Sequence, residues 1–247
     1  MRKQKKTRSA ALRIQPSYLN LPASKLPPEE PTLDFRASMH WRVFRIVAEF
    51  IDGFQYIADL KKTVTVFGSA RVGPADPWYR EARQLGRLLA RSGYTAVTGG
   101  GPGVMEAANR GAYETKGRSV GINIQLPLEQ RTNPFVKNSI GFHYFFTRKL
   151  MLTYSAEAYV YFPGGFGTLD EFFEIVTLIQ TRKITTRIPI ILVGREYWGP
   201  LTNWIDRELL RHHKFVDPKD TRLYDIVNTA KEAMRIIKKK AKRRKEF

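Results

Sequence analysis

The amino-acid sequence predicts an α/β fold in which a doubly wound parallel sheet carries helices on both faces. From residue 61 onwards, short apolar runs rich in β-branched residues alternate with amphipathic segments of helical length. The apolar runs are continuous, which is typical of strands that are buried on both faces. Three of these runs end in glycine-bearing turns, and ligands bind outside the carboxyl ends of the strands in such sheets.

An amphipathic helix is predicted to precede the first strand, and regular alternation follows it. Between residue 38 and about residue 60, apolar side chains recur at helical spacing at Trp41, Phe44, Val47, Ile51, Phe54 and Ile57. This helix is expected to pack against the domain or a partner subunit. Strands are predicted at 63–67, 94–98, 119–124, 141–146, 158–162 and 188–193. Further helices are predicted at 77–92, 104–116, 147–156, 171–180, 198–212 and 226–240.

Composition indicates a globular protein of the cytoplasm. The chain has 247 residues, of which 43% are hydrophobic and 12% aromatic, and this is enough for a sizeable core. The absence of cysteine excludes disulfides and thiolate metal sites. No apolar run approaches the roughly 20 residues that span a bilayer, and the basic N-terminus lacks an apolar signal segment. We therefore expect a soluble cytoplasmic protein without membrane contacts.

Charge and proline content divide the chain into three parts. Residues 1–36 are predicted to form a basic, proline-rich arm, residues 37–237 a single α/β domain, and residues 238–247 a basic tail. The net charge is +19, and much of it lies in the arm and the tail. Such ends attract nucleic acid, but blocks of like charge are more often solvated and disordered. Nucleic acid is therefore a less favoured partner than a small molecule.

A glycine-rich motif follows the predicted strand at 158–162. It reads Pro-Gly-Gly-Phe-Gly-Thr-Leu-Asp-Glu over residues 163–171. The glycines bring bare amide groups close to a ligand, and Thr168 adds a hydroxyl near a helix N-terminus, where a phosphate is favoured. Glu171 is predicted to lie in the first turn of the helix. A plain strand-to-helix turn would use the same glycines, but a phosphate cradle beside a carboxylate favours chemistry on a phosphorylated substrate.

Two further glycine loops are predicted to reach the same edge of the sheet. Gly68-Ser69-Ala70 follows the strand at 63–67, and the run Gly-Gly-Gly-Pro-Gly over 99–103 follows the strand at 94–98. Their convergence favours a nucleotide or phosphosugar site over three unrelated turns. None of the loops has the lysine of a P-loop, and none has the Gly-x-Gly-x-x-Gly spacing of a dinucleotide fingerprint. No acidic or histidine cluster has metal-ligand spacing, and His212-His213 is expected at an exposed helix end.

From about residue 42 to residue 204, the chain resembles the family of cytokinin-activating phosphoribohydrolases named after the rice "lonely guy" protein. The longer bacterial branch is the better match. The motifs that carry the resemblance lie at 68–70, 99–106, 147–149 and 163–171. The last matches the signature Pro-Gly-Gly-x-Gly-Thr-x-x-Glu without a mismatch. The resemblance implies a Rossmann-like fold, a homodimer or a multiple of it, no cofactor, and hydrolysis of nucleoside 5′-monophosphates to a free base and ribose 5-phosphate.

The same resemblance assigns site residues. Glu171 and Arg148 are expected to be catalytic, with the carboxylate facing the cationic sugar of the transition state and the guanidinium facing the departing base. Residues expected to bind substrate are Gly68, Ser69, Gly99, Gly100, Gly101, Gly103, Met105, Glu106, Lys149, Gly164, Gly165, Gly167 and Thr168. Two of these assignments stay open, because Lys149 also suits a surface helix and Glu106 a helix start.

Two other functions compete with hydrolysis. Many family members are labelled lysine decarboxylases, but pyridoxal phosphate chemistry needs a Schiff-base lysine, for which Lys149 is the sole candidate. A non-catalytic nucleotide-binding or carrier protein would use the same glycine loops but would not need Glu171 and Arg148 together. The residues do not identify the base that is released.

Overall fold

The computed structural model describes residues 38–125, 132–185 and 188–245, with side chains described to residue 240. A seven-stranded, wholly parallel sheet lies at its centre in the order β4-β3-β2-β1-β5-β6-β7. The strands are β1 Thr63–Phe67, β2 Thr95–Thr98, β3 Arg118–Ile124, β4 Asn138–Phe142, β5 Tyr159–Tyr161, β6 Ile190–Val193 and β7 Tyr224–Val227. The helices are α1 Met39–Ala58, α2 Pro77–Arg91, α3 Val104–Glu114, α4 Phe145–Tyr154, α5 Phe166–Gln180, α6 Arg195–Trp204 and α7 Ala230–Lys245.

Helices cover both faces of the sheet, as the continuous apolar strands predict. Helices α2, α3 and α7 pack on one face around Leu85, Ala108 and Met234. Helices α1, α4, α5 and α6 cover the other face around Met151 and Phe172. The predicted Rossmann-like α/β fold is therefore confirmed. Along the described ranges, no helix combines the length and apolar character needed to cross a bilayer.

The order of the strands along the chain reverses direction at the centre of the sheet. Strands β2, β3 and β4 extend it on one side of β1, and β5, β6 and β7 extend it on the other. The topological switch point therefore lies between β1 and β5, where doubly wound sheets form their binding crevice. The loops after these two strands begin at Gly68 and Pro163, which are the glycine loops singled out in the sequence.

Helix α5 begins five residues earlier than predicted, at Phe166 instead of Glu171. Gly165 is its N-cap residue, a position where glycine is tolerated, and Gly167 lies in the first turn. The prediction that Glu171 lies in the first turn was wrong, because the carboxylate belongs to the second turn. It lies deeper against the sheet than the motif alone implies.

Other boundaries also differ from the prediction. Strand β4 ends at Phe142 and α4 begins at Phe145, so the strand predicted at 141–146 was placed too late. Strand β7 was missed, because Ile226 and Val227 were assigned to the last helix and the two residues before them to no element. Helix α6 continues as a π-helical segment over Ile205–His212. Helix α7 extends to Lys245 and so includes residues 238–245 of the predicted tail.

Helix α1 packs on the domain by a face that overlaps the predicted one only at Ile57. Phe50, Tyr56 and Ile57 contact the core beside α4, whereas most of the predicted apolar face is exposed, including Phe44, which is 68% exposed. The residues of the arm, 1–36, lie outside the described ranges. The homodimer implied by the resemblance stays a prediction.

Candidate active site

The three glycine loops meet at the carboxyl edge of the sheet. The Ser69 amide donates to the Pro163 carbonyl at 2.9 Å, which joins the loops after β1 and β5. The Val104 amide donates to the Ser69 carbonyl at 2.9 Å, which joins the loop after β1 to the start of α3. Gly68 packs against the Val104 side chain, and Gly103 packs against the backbone of Ser69. Residues predicted from three separate motifs therefore surround one crevice.

Arg148 reaches this crevice from α4 and lies against the loop after β2. Its Nε donates to the Ile122 carbonyl at 3.0 Å, which fixes the guanidinium at the end of β3. A Cβ at Gly99 would overlap the guanidinium and would lie 3.0 Å from the Met105 sulfur. Gly99 is thus required for the close approach of Arg148, and Met105 lies beside both.

The N-terminus of α5 is open to a ligand. Gly165 and Gly167 are exposed, and Phe166 between them is 92% exposed. The first amides of a helix have no acceptor within it and, together with the helix dipole, attract anions. Thr168 is buried directly behind these amides, and its hydroxyl contacts Gly164. Tyr197 of α6 donates to the Gly164 carbonyl and holds this loop from the far side.

Glu171 is a buried acid that is not fully hydrogen-bonded within the described part of the chain. Its side chain is 6% exposed, and among the described residues its Oε2 has no hydrogen-bond partner. Burial raises its pKa to about 7, although the nearby cations Lys149 and Arg148 oppose this shift. Burial also lowers the pKa of Arg148, and the Glu171 charge offsets part of that change. The two predicted catalytic groups are electrostatic neighbours, and an unsatisfied buried carboxylate of this kind is typical of a functional site.

Lys149 is engaged by two acids of α5. Its ammonium lies 2.8 Å from Asp170 and 2.8 Å from Glu174. Burial lowers the pKa of Lys149, but hydrogen bonds to the two carboxylates outweigh it and raise the pKa above its ordinary value. The ammonium therefore joins α4 to α5 and holds the Arg148 and Glu171 helices in register. The sequence left open whether Lys149 binds the substrate phosphate or lies on a surface helix. A phosphate at Lys149 would have to compete with both carboxylates for the ammonium.

Glu106 also has a protein partner. The Tyr79 hydroxyl of α2 donates to its Oε1 at 2.7 Å. One carboxylate oxygen is thus held by a neighbouring helix, as expected for a structural acid at the start of α3.

A buried amide network holds the Gly99–Gly103 loop in place. The Asn133 side chain donates to the Gly100 and Gly101 carbonyls, each at 3.1 Å, and to Asn109 at 3.0 Å. Asn109 in turn accepts from Thr98 at 2.7 Å. The sequence analysis missed this network. One signal was present, because Asn109 interrupts the apolar stripe of α3 and is fully buried.

A second missed residue, Glu49 of α1, caps the helix that carries Arg148. Its carboxylate accepts from the His143 amide at 2.7 Å, the Tyr144 amide at 3.3 Å and the Thr147 hydroxyl at 2.6 Å. These groups surround the N-terminus of α4, where a negative charge is favourable. Glu49 therefore positions α4, and these hydrogen bonds add a polar attachment of α1 to the apolar contacts made by Phe50, Tyr56 and Ile57.

Replacing Glu49 by Ala is expected to destabilise the protein by about 1–3 kcal/mol, since it removes charge-assisted hydrogen bonds at a helix end. Because α4 then loosens, kcat should fall while the KM for substrate changes little. Urea unfolding and steady-state kinetics measure the two effects. The matched control is Asp52→Ala, an exposed acid of the same helix, which should stay within about 0.5 kcal/mol of the parent. Equal stability of the two variants would contradict the capping role.

One group of side chains outside the crevice has metal-ligand chemistry. The candidate ligand atoms of Glu208, His212 and His213 lie within 4.8 Å of one another. The sequence analysis did not predict this group, although Glu208 and His212 are four residues apart and contact each other. Both histidines are exposed, as predicted for a helix end, and nothing in their surroundings assigns them a role.

Comparison with known proteins places the chain among proteins of one family. A family model described as "Possible lysine decarboxylase" matches residues 105–237. A rice protein (Oryza sativa subsp. japonica), named a "probable cytokinin riboside 5'-monophosphate phosphoribohydrolase", is 30% identical over 178 residues, which are 70% of each chain. The cytokinin riboside 5'-monophosphate phosphoribohydrolase of Rhodococcoides fascians is 28% identical over 148 residues, covering 59% of this chain and 74% of that one.

Solved structures share the fold. The molybdenum cofactor carrier protein of Chlamydomonas reinhardtii superposes with a TM-score of 0.58 at 20% identity, over 73% of this chain and 98% of the carrier. At that identity the similarity concerns the fold alone.

Proposed function

Because the chain belongs to the "lonely guy" family of phosphoribohydrolases, we propose that it hydrolyses the N-glycosidic bond of nucleoside 5′-monophosphates and releases a free base and ribose 5-phosphate. The observation that carries this proposal is the buried Glu171 carboxylate beside Arg148, with one oxygen unpartnered among the described residues. Burying a carboxylate without a hydrogen-bond partner for one of its oxygens destabilises the fold, because the carboxylate loses its contacts with water. A protein that only binds nucleotides would gain nothing in return.

The substrate phosphate binds at the N-terminus of α5. The exposed amides of Phe166 and Gly167 and the hydroxyl of Thr168 offer donors to an anion, and the helix dipole adds a favourable field. With the phosphate there, the ribose extends towards Glu171 in the second turn of the same helix. The base then lies on the side of the crevice formed by Arg148, Gly99 and Met105.

The reaction breaks the bond between C1′ of the ribose and the base nitrogen, and the bonding electrons leave with the base. Positive charge develops on the sugar ring, as in glycoside hydrolysis, and the ionised Glu171 carboxylate stabilises it. Water adds to C1′, and Glu171, with a pKa of about 7, accepts the proton that this water loses. Arg148 stabilises the negative charge on the departing base until the base takes a proton.

The residues do not fit lysine decarboxylation. The cofactor for that reaction is held through a Schiff base, which forms from a neutral lysine amine. Lys149 is the lysine of the crevice motifs, and its ammonium lies between Asp170 and Glu174 with a raised pKa. Lys149 is therefore unsuited to hold pyridoxal phosphate as a Schiff base.

The proposal is tested by incubating the full chain with a panel of nucleoside 5′-monophosphates, including AMP and isopentenyladenosine monophosphate. Chromatography should show a free base together with ribose 5-phosphate in equal amounts. The matching nucleosides without the 5′-phosphate should react far more slowly, because they lose the contacts at α5. If nucleotides bind but no base is released from any of them, the carrier alternative replaces the hydrolase.

A further inference from the structure

A basic cleft lies at the opposite end of α3 from the candidate active site. It has a volume of about 460 Å³ and is lined by Arg110, Tyr113, Glu114, Lys116, Phe135 and Lys137. Tyr113 follows Met105 by eight residues on α3, which is roughly 12 Å along a helix axis. The cleft is therefore a separate site, and none of its lining residues belongs to the proposed catalytic machinery.

Two aromatic rings form the apolar part of this cleft. The rings of Tyr113 and Phe135 meet edge to face, with 5.9 Å between their centroids. A cation lies over each ring, because the Arg110 guanidinium is 5.2 Å from the Phe135 centroid and the Lys137 ammonium is 5.6 Å from the Tyr113 centroid. Tyr113 is 47% exposed, so it still presents ring surface to a ligand.

The charge of the cleft is strongly positive in spite of Glu114. This carboxylate contacts three guanidinium groups, Arg83 at 3.0 Å, Arg87 at 2.7 Å and Arg110 at 3.0 Å. Hydrogen bonds, led by that from Arg83, lower the pKa of Glu114 to about 2 against the effect of burial. The cleft is therefore lined by three cations, Arg110, Lys116 and Lys137, against the single acid Glu114. Arg83 and Arg87 hold that acid from outside the lining.

We propose that this cleft binds single-stranded nucleic acid, with a base stacked on Tyr113 and backbone phosphates on Lys137 and Lys116. Aromatic side chains that stack bases, set among cations that neutralise phosphates, are the elements of sequence-tolerant strand binding. Cations continue beyond the cleft to Arg83 and Arg87, so the positive surface is longer than one nucleotide. A net charge of +19 supports attraction of a polyanion to the chain as a whole.

The test uses a 12-nucleotide oligothymidylate with a 5′-hydroxyl and a fluorescent label at its 3′ end. This probe has no 5′-monophosphate, so it is not a substrate of the proposed hydrolase. Fluorescence anisotropy of the full chain is recorded over a series of salt concentrations. Tyr113→Ala should weaken binding about 10-fold or more, because a base–aromatic stack is lost. Tyr113→Phe, which keeps the ring, should bind as the parent does.

Lys137→Ala should weaken binding in a different way. Because one phosphate contact is removed, the slope of log K against log salt should become shallower by about 0.7, whereas Tyr113→Ala should leave the slope unchanged. The matched control is the double variant Phe215→Ala with Lys183→Ala, which removes an exposed aromatic ring and an exposed cation outside the cleft. Release of base from nucleotides should be unchanged in every one of these variants, which separates this proposal from the hydrolase.

Three results would overturn the assignment. Parent-like affinity in Tyr113→Ala would exclude stacking in the cleft. An equal loss in the Phe215 and Lys183 control would mean that binding depends on net charge or on the ends of the chain. Thymidine 3′-monophosphate and unlabelled oligothymidylate are also compared as competitors of the labelled probe at equal phosphate concentration. If both displace the probe equally well, the ligand of the cleft is a single nucleotide and not a strand.

Discussion

The Glu171→Gln variant is expected to lose hydrolysis and to gain stability at alkaline pH. Its amide cannot accept a proton from water or carry the charge that stabilises the sugar cation, so kcat should fall by about 10²–10⁴-fold. Glutamine has nearly the same size and stays neutral, so the buried site keeps its packing. Steady-state release of ribose 5-phosphate measures the first effect.

The gain in stability follows from the pKa of Glu171. Burial raises this pKa from 4.5 to about 7 in the folded protein. Below about pH 4.5 the carboxyl is protonated in both states, and the parent and the variant should be equally stable. Between about pH 4.5 and pH 7 the carboxyl ionises in the unfolded state but stays protonated in the folded parent. The parent therefore loses up to about 3 kcal/mol of stability relative to the variant over this range, at 1.36 kcal/mol per pKa unit, and the loss levels off above pH 7.

Urea unfolding of both proteins at pH 4.5 and pH 8 measures this difference. The control is Asp52→Asn, an exposed acid of α1, which should follow the parent at both pH values. A Glu171→Gln variant no more stable than the parent at pH 8 would mean that the carboxyl is not held at a cost to the fold. Loss of activity and gain of stability together identify a functional acid, because a structural one would lose both.

The Arg148→Ala variant is expected to lose activity and to shift what remains to higher pH. The substitution removes a preorganised cation that stabilises the negative charge on the departing base, so kcat should fall by about 10²–10³-fold. Arg148 also helps to lower the pKa of Glu171, so the acidic limb of kcat/KM, near pH 7 in the parent, should move upwards in the variant. A pH–rate profile over pH 5.5–9 measures both effects.

Two controls separate charge from geometry at this position. Arg148→Lys keeps the cation but loses the Nε–H donor to the Ile122 carbonyl, so its acidic limb should stay near pH 7 while kcat falls. Arg80→Ala removes an exposed arginine of α2 and should behave as the parent. An acidic limb that does not move in Arg148→Ala would show that the guanidinium and the carboxylate are not coupled.

The sequence predicted the parts of the site that local motifs encode. Continuous apolar strands predicted the parallel sheet. Glycine loops after β1, β2 and β5 predicted which loops converge, as the hydrogen bonds from Ser69 to Pro163 and from Val104 to Ser69 bear out. The predicted start of α5 was wrong, because the glycines at 165 and 167 suggested that the loop before the helix is longer than it is in the structure. Glycine is tolerated at the N-cap position, so the glycine at 165 did not prevent the helix from beginning at Phe166.

The supporting residues depended on contacts between distant parts of the chain. Glu49 and Thr147 are 98 residues apart, and Asn133 and Asn109 are 24 apart. No periodicity or spacing in one sequence relates such pairs. Lys149 shows the same limit, since its basic character suggested a phosphate ligand, and only the packing of α4 on α5 reveals the two carboxylates that hold it.

The most direct test of the central claim is the ribose 5-phosphate that the parent and Glu171→Gln release from the nucleoside 5′-monophosphate that reacts fastest in the panel. The parent should release ribose 5-phosphate and free base in a 1:1 ratio over many turnovers. The variant should bind the same nucleotide with comparable affinity and release both products at least about 100-fold more slowly than the parent. Turnover by Glu171→Gln at the parental rate would contradict the assignment of Glu171 as the catalytic carboxylate.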